Sequence, residues 1–212
     1  KQLSIQKQKL YIQINKKKKA ITELEKLLKK TPEDIEVLQL LSEVYFLKNQ
    51  KEKAFEILEK ILIIQPENGI IRLTLADYYR ENGENQKSYN ELKLAFKSEK
   101  LDIDTKIRIL VSYFPLINVN QEMRTQANQL IDILVGMYPD EYIVYMIRAD
   151  ILYSENKFSE AKEQYLLAIG LNKVNIEAWT QVLFIQAEEK DFLQMIKTSN
   201  EALKYFPLEP VF

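Results

Sequence analysis

The sequence predicts an all-α fold of about six helical hairpins, roughly 12 helices in total. Its 212 residues include only 4 Gly and 6 Pro, and so few helix breakers favour long helices over a many-turned β fold. Two sets of marker residues recur with the same spacings of 34, 34, 39, 34 and 34 residues. The first set is Ala20, Ala54, Ser88, Ala127, Ala161 and Met195, and the second is Pro32, Pro66, Lys100, Pro139, Lys173 and Pro207. Between the markers, apolar residues recur with the helical period.

Each repeat is predicted to contain a first helix, helix A, and a second helix, helix B, joined by a short polar turn. Residues 35–68 indicate this most clearly, because the polar segment LKNQKEK separates two apolar stripes. The helix A stripe is Val37, Leu38, Leu41, Val44 and Tyr45, and the helix B stripe is Ala54, Phe55, Leu58, Ile61 and Leu62. The segment TPEDIE predicts the start of this helix A, with Thr31 as N-cap and Pro32 at the first helical position.

The same register predicts six repeats in order along the chain. They cover residues 1–34, 35–68, 69–102, 103–141, 142–175 and 176–209, and residues 210–212 are expected to open a further unit. We expect residues 1–212 to form one repeat domain that belongs to a longer protein. The alternative is a natural end covered by dimerisation, so a homo-oligomer through exposed terminal repeats stays open.

The fourth repeat is five residues longer than the others, and the extra residues lie in the segment VSYFPLINVNQEMRTQA. Pro115 discourages a continuous helix, so we expect this helix A to end or kink near Tyr113 and Phe114. Leu116, Ile117 and Val119 then lie on a connection, where apolar side chains need cover. We expect them to pack against a neighbouring hairpin. A binding loop at residues 115–120 is the alternative.

The repeats resemble the tetratricopeptide repeat (TPR) family, whose 34-residue pattern is W-x2-L-G-x2-Y…A-x3-F…P. The second repeat matches with Leu38, Leu41, Ser42, Tyr45, Ala54, Leu58 and Pro66, and the sixth with Trp179, Val182, Leu183, Gln186, Met195, Ala202 and Pro207. The resemblance implies a right-handed α-solenoid superhelix in which stacked hairpins share a continuous core. It also implies a scaffold for protein–protein interaction that binds an extended or helical peptide segment in a concave groove lined by the A helices.

Composition argues against catalysis. The sequence contains no Cys and no His, which excludes disulfides, zinc–thiolate sites and any Cys-His or Ser-His-Asp arrangement. Carboxylate pairs such as Glu33 and Asp34 fall at predicted helix starts, ends and turns, where a structural role is the simpler interpretation. The glycines are isolated, so no phosphate-binding loop is present. We expect no enzymatic activity in this segment, no catalytic residue, no cofactor and no metal.

The resemblance assigns a set of residues to the concave groove, and this set forms a chemical pattern. The assigned residues are Ile5, Lys9, Gln39, Glu43, Phe46, Leu73, Asp77, Arg80, Met146, Asp150, Tyr153, Thr180 and Phe184. Large apolar residues alternate with acids, and Glu43, Asp77 and Asp150 occupy the same position of their repeats. Such a groove suits a protein or peptide segment with apolar anchors and Lys or Arg between them. The alternative is that these side chains only solvate an unused surface.

Charge and hydropathy limit the other partners. Residues 1–30 carry ten Lys and two Glu, but Lys outnumbers Arg by 25 to 5 overall, so we expect a solvated basic end and no nucleic-acid partner. The longest aliphatic run is Ile61–Ile64, far too short for a membrane span. Because the chain begins at Lys1, we expect an upstream segment, and both cytoplasmic and exported locations stay open. Two other functions also stay open: a structural or self-assembly segment, and the interaction region of a multidomain protein whose enzymatic or signalling domain lies outside this chain.

Overall fold

The computed structural model describes residues 2–212, except for the side chains of residues 2–4, 8 and 9. The secondary structure of the described residues consists of helices joined by turns, which confirms the predicted all-α class. The chain divides into two compact units, Lys1–Leu101 and Asp102–Phe212.

The described part of the first unit folds into three antiparallel hairpins. They pair α1 (Gln2–Gln13) with α2 (Lys17–Lys30), α3 (Ile35–Leu47) with α4 (Lys51–Ile64), and α5 (Gly69–Glu81) with α6 (Asn85–Phe96). A core that includes Leu24, Leu38, Leu41, Ile61 and Leu75 runs between the hairpins. Each hairpin therefore buries its apolar face against a neighbour rather than alone.

The second unit also contains three hairpins, and the first of these is irregular. The helices are α7 (Ile103–Val111), α8 (Phe114–Ile117), α9 (Gln121–Met137), α10 (Tyr142–Ser154), α11 (Phe158–Leu171), α12 (Ile176–Glu188) and α13 (Phe192–Ala202). One core cluster includes Met146, Ala149, Tyr165, Ala168 and Trp179.

The alanines of the first marker set lie where helix B packs on helix A. Ala20, Ala54, Ala127 and Ala161 have no solvent-exposed surface, and each lies near the start of a helix B. Their size lets helix B approach the preceding helix A closely. The large residues Tyr45 and Trp179 are also buried, at 7% and 3% exposure.

The starts of the A helices follow the repeat register, by which we mean a step of 34 residues, or 39 across the insertion. Side-chain oxygens of Asp34, Asn68, Asp102 and Asn175 each accept a hydrogen bond from the backbone N–H three residues later. Glu141 stands at the same position before α10 and makes no such bond. Four of these helices thus have a satisfied N-terminus.

The predicted N-cap at Thr31 is wrong, and the reason is local geometry. Thr31 is the residue that ends α2, where its hydroxyl donates to the Leu27 carbonyl oxygen at 3.2 Å. Pro32 and Glu33 form the turn, and α3 begins after Asp34, whose carboxylate accepts from the Val37 N–H at 3.4 Å. Pro32 therefore lies in the turn between two hairpins and not in the first turn of α3.

The turns from helix A to helix B use a left-handed residue in five of the six hairpins. These residues are Asn15, Asn49, Gly83, Asn156 and Lys190, all with φ between 56° and 77°. The series follows the repeat register except at the fourth hairpin. Asn and Gly adopt this conformation at low cost, whereas Lys190 does not.

In the fourth hairpin, a short additional helix lies in the connection between helix A and helix B. α7 ends at Val111, and Pro115 lies at the start of the short helix α8, so the break near Tyr113 and Phe114 is confirmed. Ile117 is 1% exposed, but Leu116 and Val119 are 46% and 79% exposed. The expectation that the apolar residues of the insertion pack inward is therefore met by Ile117 alone.

Candidate functional site

Most of the residues assigned to the groove in the first unit lie at its surface. Gln39, Glu43, Asp77 and Arg80 are exposed. Phe46 and Leu73 are half-buried. These residues come from α3 and α5, the A helices of neighbouring hairpins. The first unit thus places acids and apolar side chains on its A helices.

An aromatic cluster supports the apolar part of this surface. The Phe46 ring meets the Phe55 ring edge-on at 5.0 Å between centroids, and Phe55 stacks on Tyr78 at 3.5 Å. Because Phe55 belongs to helix B and Tyr78 to the next helix A, the cluster joins two hairpins. Phe46 is therefore held in place before any ligand arrives.

The acids of the first unit differ in their surroundings. Asp77 forms an ion pair with Arg80, one turn later on the same helix, at 2.6 Å. Both side chains are more than 60% exposed, so the pair contributes little to stability. It does reduce the negative charge at Asp77. Glu43 is exposed on the neighbouring helix α3.

In the second unit the assigned residues lie on α10 and α12. Tyr153 and Phe184 are exposed, at 37% and 53%, and Tyr153 packs against Phe158 with centroids 5.1 Å apart. Thr180 is half-buried, and its hydroxyl donates to the Ile176 carbonyl oxygen of its own helix at 2.9 Å. The exposed aromatic rings are the apolar contacts that this unit offers.

Asp150 has the most perturbed surroundings of the assigned acids. It is half-buried on α10, and the Tyr165 hydroxyl of α11 donates to its carboxylate at 2.6 Å. Burial raises the pKa of the Asp150 carboxyl, the Tyr165 hydrogen bond lowers it, and the nearby Glu177 carboxylate of α12 raises it. Two acids on neighbouring A helices therefore act on one another here.

Three assigned residues do not lie on an open, described surface. Ile5 and Met146 are buried in the cores of their units, at 2% and 3% exposure. Lys9 lies outside the residues whose side chains the structure describes. Ile5 and Met146 therefore have little surface that a bound segment could contact.

Two residues of the Asp150 surroundings were missed by sequence reasoning. Neither Tyr165 nor Glu177 is among the residues that the resemblance assigns to the groove. A signal was present, since Tyr165 stands where the second and third repeats have Leu58 and Leu92. A hydroxyl at an otherwise aliphatic position indicates a nearby acceptor.

Two clefts of the first unit are lined by residues other than those assigned to the groove. One, of about 620 Å³, is lined by residues 31–36 at the connection between hairpins. Another, of about 430 Å³, is lined by Glu25, Tyr45, Lys60 and their neighbours. Neither cleft includes a residue assigned to the groove.

Two further kinds of site are absent from the described residues. In that part of the chain, no three His, Cys, Asp or Glu side chains are placed together as a metal site would need. None of its helices has both the length and the apolar character needed to cross a bilayer.

The fold and the A-helix surface define a class: proteins built from stacked helical hairpins with a 34-residue period. Residues 35–68 and 142–175 each match the tetratricopeptide repeat family model, and these segments coincide with the second and fifth repeats predicted above. The chain therefore contains tetratricopeptide repeats.

Comparisons with solved structures agree on the fold. A chain of the Naa15/Naa10 complex bound to HypK-THB aligns with a TM-score of 0.58 and 16% identity, over 95% of this chain and 31% of that one. YrrB, described as a TPR protein with an unusual peptide-binding site, aligns with a TM-score of 0.51 and 13% identity, over 89% and 94%. Tetratricopeptide repeats of this kind support protein interaction in general.

A curated relative shares part of the sequence. The human protein O-mannosyl-transferase TMTC3 is 31% identical over 98 residues, which cover 46% of this chain and 10% of TMTC3. The chain thus matches about a tenth of the length of that relative.

Proposed function

We propose that this protein is a non-catalytic scaffold that binds an extended segment of another protein on its A helices. The segment has apolar anchors with Lys or Arg between them. The observation that carries the proposal is the pairing of an acid with an aromatic residue one turn later, at Glu43 with Phe46 and at Asp150 with Tyr153. Each pair presents an anion and an apolar surface to the same side of its helix.

The first unit would supply an apolar anchor site and an exposed charge. Phe46 is held by Phe55 and Tyr78, so a ligand side chain that packs on it does not have to immobilise a free ring. Glu43 is exposed one turn earlier, where it can pair with a Lys or Arg of the segment. A charge at the rim of an interface contributes mainly to specificity and association rate.

The second unit would supply the stronger electrostatic site. The Tyr165 hydroxyl orients the Asp150 carboxylate, and Glu177 adds negative charge beside it. A basic side chain placed between these acids would relieve their mutual repulsion. Because Asp150 is half-buried, the attraction is screened less by salt than that of an exposed pair.

A second candidate function follows from the match to a tenth of TMTC3. In that case the chain is the interaction region of a longer, multidomain protein whose enzymatic domain lies outside it. The A-helix surface would then hold a segment of the same longer chain or of its substrate. The two candidates share the binding surface and differ in where the bound segment comes from.

Binding can be tested with synthetic peptides. The probe is a fluorescently labelled peptide that alternates Leu or Phe with Lys or Arg, and the reference peptide has Glu in place of each basic residue. We expect fluorescence anisotropy to detect binding of the basic peptide only. Glu43→Lys, Asp77→Lys and Asp150→Asn combined should weaken it by about tenfold or more.

A matched control carries the same change in net charge away from the A helices. Glu52→Lys, Glu99→Lys and Glu163→Gln change exposed acids on helix B or in connections. We expect this variant to bind like the unmodified protein. Equal loss of affinity in both variants would mean that net charge alone attracts the peptide, and no binding of either peptide would contradict the proposed function.

Asp150 gives the binding a characteristic pH dependence. Its pKa is raised, so its carboxylate becomes protonated at a higher pH than an ordinary Asp. We expect affinity for the basic peptide to fall as the pH drops through this raised pKa, and Asp150→Asn to remove that part of the pH profile. The effect on stability has the opposite sign, since a raised pKa contributes stability below the ordinary Asp range that is lost as the pH rises. An unchanged profile in Asp150→Asn would exclude this residue from the site.

A further inference from the structure

The outer face of α11 is apolar, although α11 packs between α10 and α12 inside the second unit. Leu167 and Leu171 on this helix are 51% and 45% exposed, and Val174 in the turn that follows is 68% exposed. Spacings of four and three residues place these side chains along one line of the surface, and Leu166, 44% exposed, lies beside it. Large apolar side chains that are exposed together indicate a contact surface.

The equivalent face of the first unit is charged. In the repeat register, the same four positions are all charged and exposed on α2 and the turn after it: Glu25, Lys26, Lys30 and Glu33. On α4 and its turn, three of the four are charged: Glu59, Lys60 and Glu67. The repeat itself therefore does not require apolar residues at these positions, and the apolar face is particular to α11.

This face points away from the stacked hairpins. A cleft of about 240 Å³ lies beside it, with Leu166 and Gly170 of α11 on one wall and Lys197 of α13 on the other. The register equivalents of these three residues line the cleft between α2 and α4 in the first unit: Glu25, Lys29 and Glu56. That cleft stays open although the next hairpin packs on α4. The place is thus open between inner hairpins as well.

Gly170 lies in the middle of the apolar face. Its backbone is helical, and a Cβ placed on it would meet no atom within 4 Å. Packing within the described chain therefore does not require a glycine there, and glycine lowers the stability of a helix relative to alanine. The missing side chain does let another backbone approach closely. Gly170 thus favours a helix docked on α11 over a solvated face.

The acidic charges of α11 lie at its start. Glu160 and Glu163 are exposed in the first two turns. Lys162 lies between them in sequence, but it pairs with Glu189 at the end of α12. The start of the apolar face is therefore left with two exposed carboxylates.

The other end of the apolar face is basic. Lys173 follows the last turn of α11, and Lys197 lies across the cleft on α13. Glu201 also lines the cleft, so the two lysines leave its lining with one net positive charge. An occupant that is basic at one end and acidic at the other would complement both ends of the face.

An amphipathic helix has this arrangement of charge when it is stable by itself. Acids stabilise the first turn of a helix and basic residues its last turn, because of the helix dipole. Such a helix complements α11 only when it lies antiparallel, with its acidic start beside Lys173 and its basic end beside Glu160 and Glu163. Its apolar stripe would then lie on Leu167 and Leu171. The cleft of about 240 Å³ is smaller than the roughly 300 Å³ of small-molecule pockets and suits a single apolar side chain of that helix.

From the apolar face, the glycine and the separated charges, we propose that α11 binds an amphipathic helix of another protein, antiparallel to itself, with an acidic first turn and a basic last turn. This surface is on a B helix and does not include Glu43, Asp77 or Asp150 of the A helices. It is a second binding surface of the second unit, and it does not depend on the function proposed above.

A synthetic helical peptide tests the proposal. The probe is a labelled peptide of about four helical turns, with Leu at every third or fourth position, Glu in its first turn and Lys in its last turn. We expect fluorescence anisotropy to detect its binding to the unmodified protein. Leu167→Glu should weaken binding by about tenfold or more, because it places a charge in the apolar contact. No binding of this peptide to the unmodified protein would overturn the proposal.

Two controls separate this surface from others. A reference peptide with the same Leu positions and Glu at both ends should bind more weakly, since it brings like charges to Glu160 and Glu163. The variant that combines Glu43→Lys, Asp77→Lys and Asp150→Asn should bind the probe like the unmodified protein. If that variant lost the probe and Leu167→Glu kept it, the peptide would bind to the A helices and the proposal would be wrong.

A matched pair of glycine substitutions tests the close approach of the docked helix. Gly136 occupies the position of Gly170 on α9, and a Cβ there also meets no atom within 4 Å. Gly170→Gln and Gly136→Gln should both raise the melting temperature, because glutamine favours helix more than glycine. Only Gly170→Gln should weaken peptide binding, by about tenfold or more. Equal weakening by Gly136→Gln, or unchanged binding in Gly170→Gln, would contradict the proposal.

Disulfide cross-linking tests the orientation, since the chain has no cysteine of its own. Lys173→Cys should form a disulfide faster with a peptide that carries Cys in its first turn than with one that carries Cys in its last turn. Glu160→Cys should show the reverse preference. The same preference in both variants would exclude the antiparallel arrangement. Circular dichroism verifies that each exposed substitution leaves the fold intact.

Discussion

The second and fourth hairpins reverse the chain between helix A and helix B in different ways. In the second, three residues between α3 and α4 reverse the chain, and Asn49 adopts a left-handed conformation with φ 56°. In the fourth, nine residues lie between α7 and α9, and the structure gives none of them a positive φ. Four of the nine form α8, which carries Pro115 near its start.

Despite the different connections, both hairpins bury an alanine at the same position of helix B. Ala54 and Ala127, which follow the two connections, are equally buried with no exposed surface. A small residue is therefore fully buried at the same repeat position in both hairpins, although the path between the helices differs. In the fourth hairpin Ile117 is buried, and the Arg124 side chain of α9 donates to the Ile117 carbonyl oxygen at 2.9 Å. Within the insertion, Ile117 is buried, whereas the apolar residues beside it, Leu116 and Val119, are exposed.

The largest effect should come from removing this buried side chain. Ile117→Ala deletes a fully buried side chain and should lower the free energy of unfolding by about 2–5 kcal/mol. Val119→Ala is the matched control, because Val119 is 79% exposed in the same insertion, and it should change stability by less than about 0.5 kcal/mol. Urea unfolding of both variants gives the comparison. If both variants changed the free energy of unfolding by equally small amounts, burial of Ile117 would not stabilise the insertion.

The identity of the left-handed turn residue should have a smaller effect on the free energy of unfolding. Lys190 takes the left-handed conformation that Asn49 and Asn156 take, at φ 58°, and this strains a residue with a long side chain. Lys190→Gly should raise the free energy of unfolding by about 1 kcal/mol. The reciprocal variant Asn156→Lys should lower it by a similar amount. Thermal unfolding followed by circular dichroism measures both, and the same sign for the two changes would contradict the role given to the turn residue.

The smallest effect concerns the start of α10. Glu141 stands where Asp34 and Asn175 cap their helices, but its longer side chain makes no capping bond. Glu141→Asp should therefore add a cap and stabilise the protein by about 0.5–1 kcal/mol. Asp34→Glu, the reverse exchange at the equivalent position, should destabilise it. If Glu141→Asp leaves the melting temperature unchanged while Asp34→Glu lowers it, the fifth hairpin is capped in another way.

The helical hairpins and their period follow from the sequence because small and apolar residues recur at fixed steps. The helix starts were less predictable. Thr31 and Pro32 resemble a helix start taken alone, yet the capping residues Asp34, Asn68 and Asp102 recur at the repeat period and identify the true position. Comparison between repeats is thus a better guide than one local motif.

The candidate site was less predictable than the fold, because exposure and charge depend on contacts between hairpins. Asp77 and Asp150 share a repeat position, but one pairs with Arg80 in solvent and the other is half-buried against Tyr165. Met146 lies on α10, where it is buried in the core. A single sequence predicts which face of a helix a residue lies on. It does not predict which side chains of the next helix that residue contacts.

The single tryptophan, Trp179, has a spectroscopic consequence. It is 3% exposed in the last hairpin, its indole N–H donates to the Lys173 carbonyl oxygen at 3.0 Å, and its ring stacks on Tyr205. Its fluorescence therefore reports on that hairpin alone, whereas far-ultraviolet ellipticity averages over all the helices. In stacked repeats, where each hairpin is stabilised by its neighbours, a terminal hairpin can open before the rest. During denaturation the emission maximum of Trp179 should then shift to the red before the helical signal is lost.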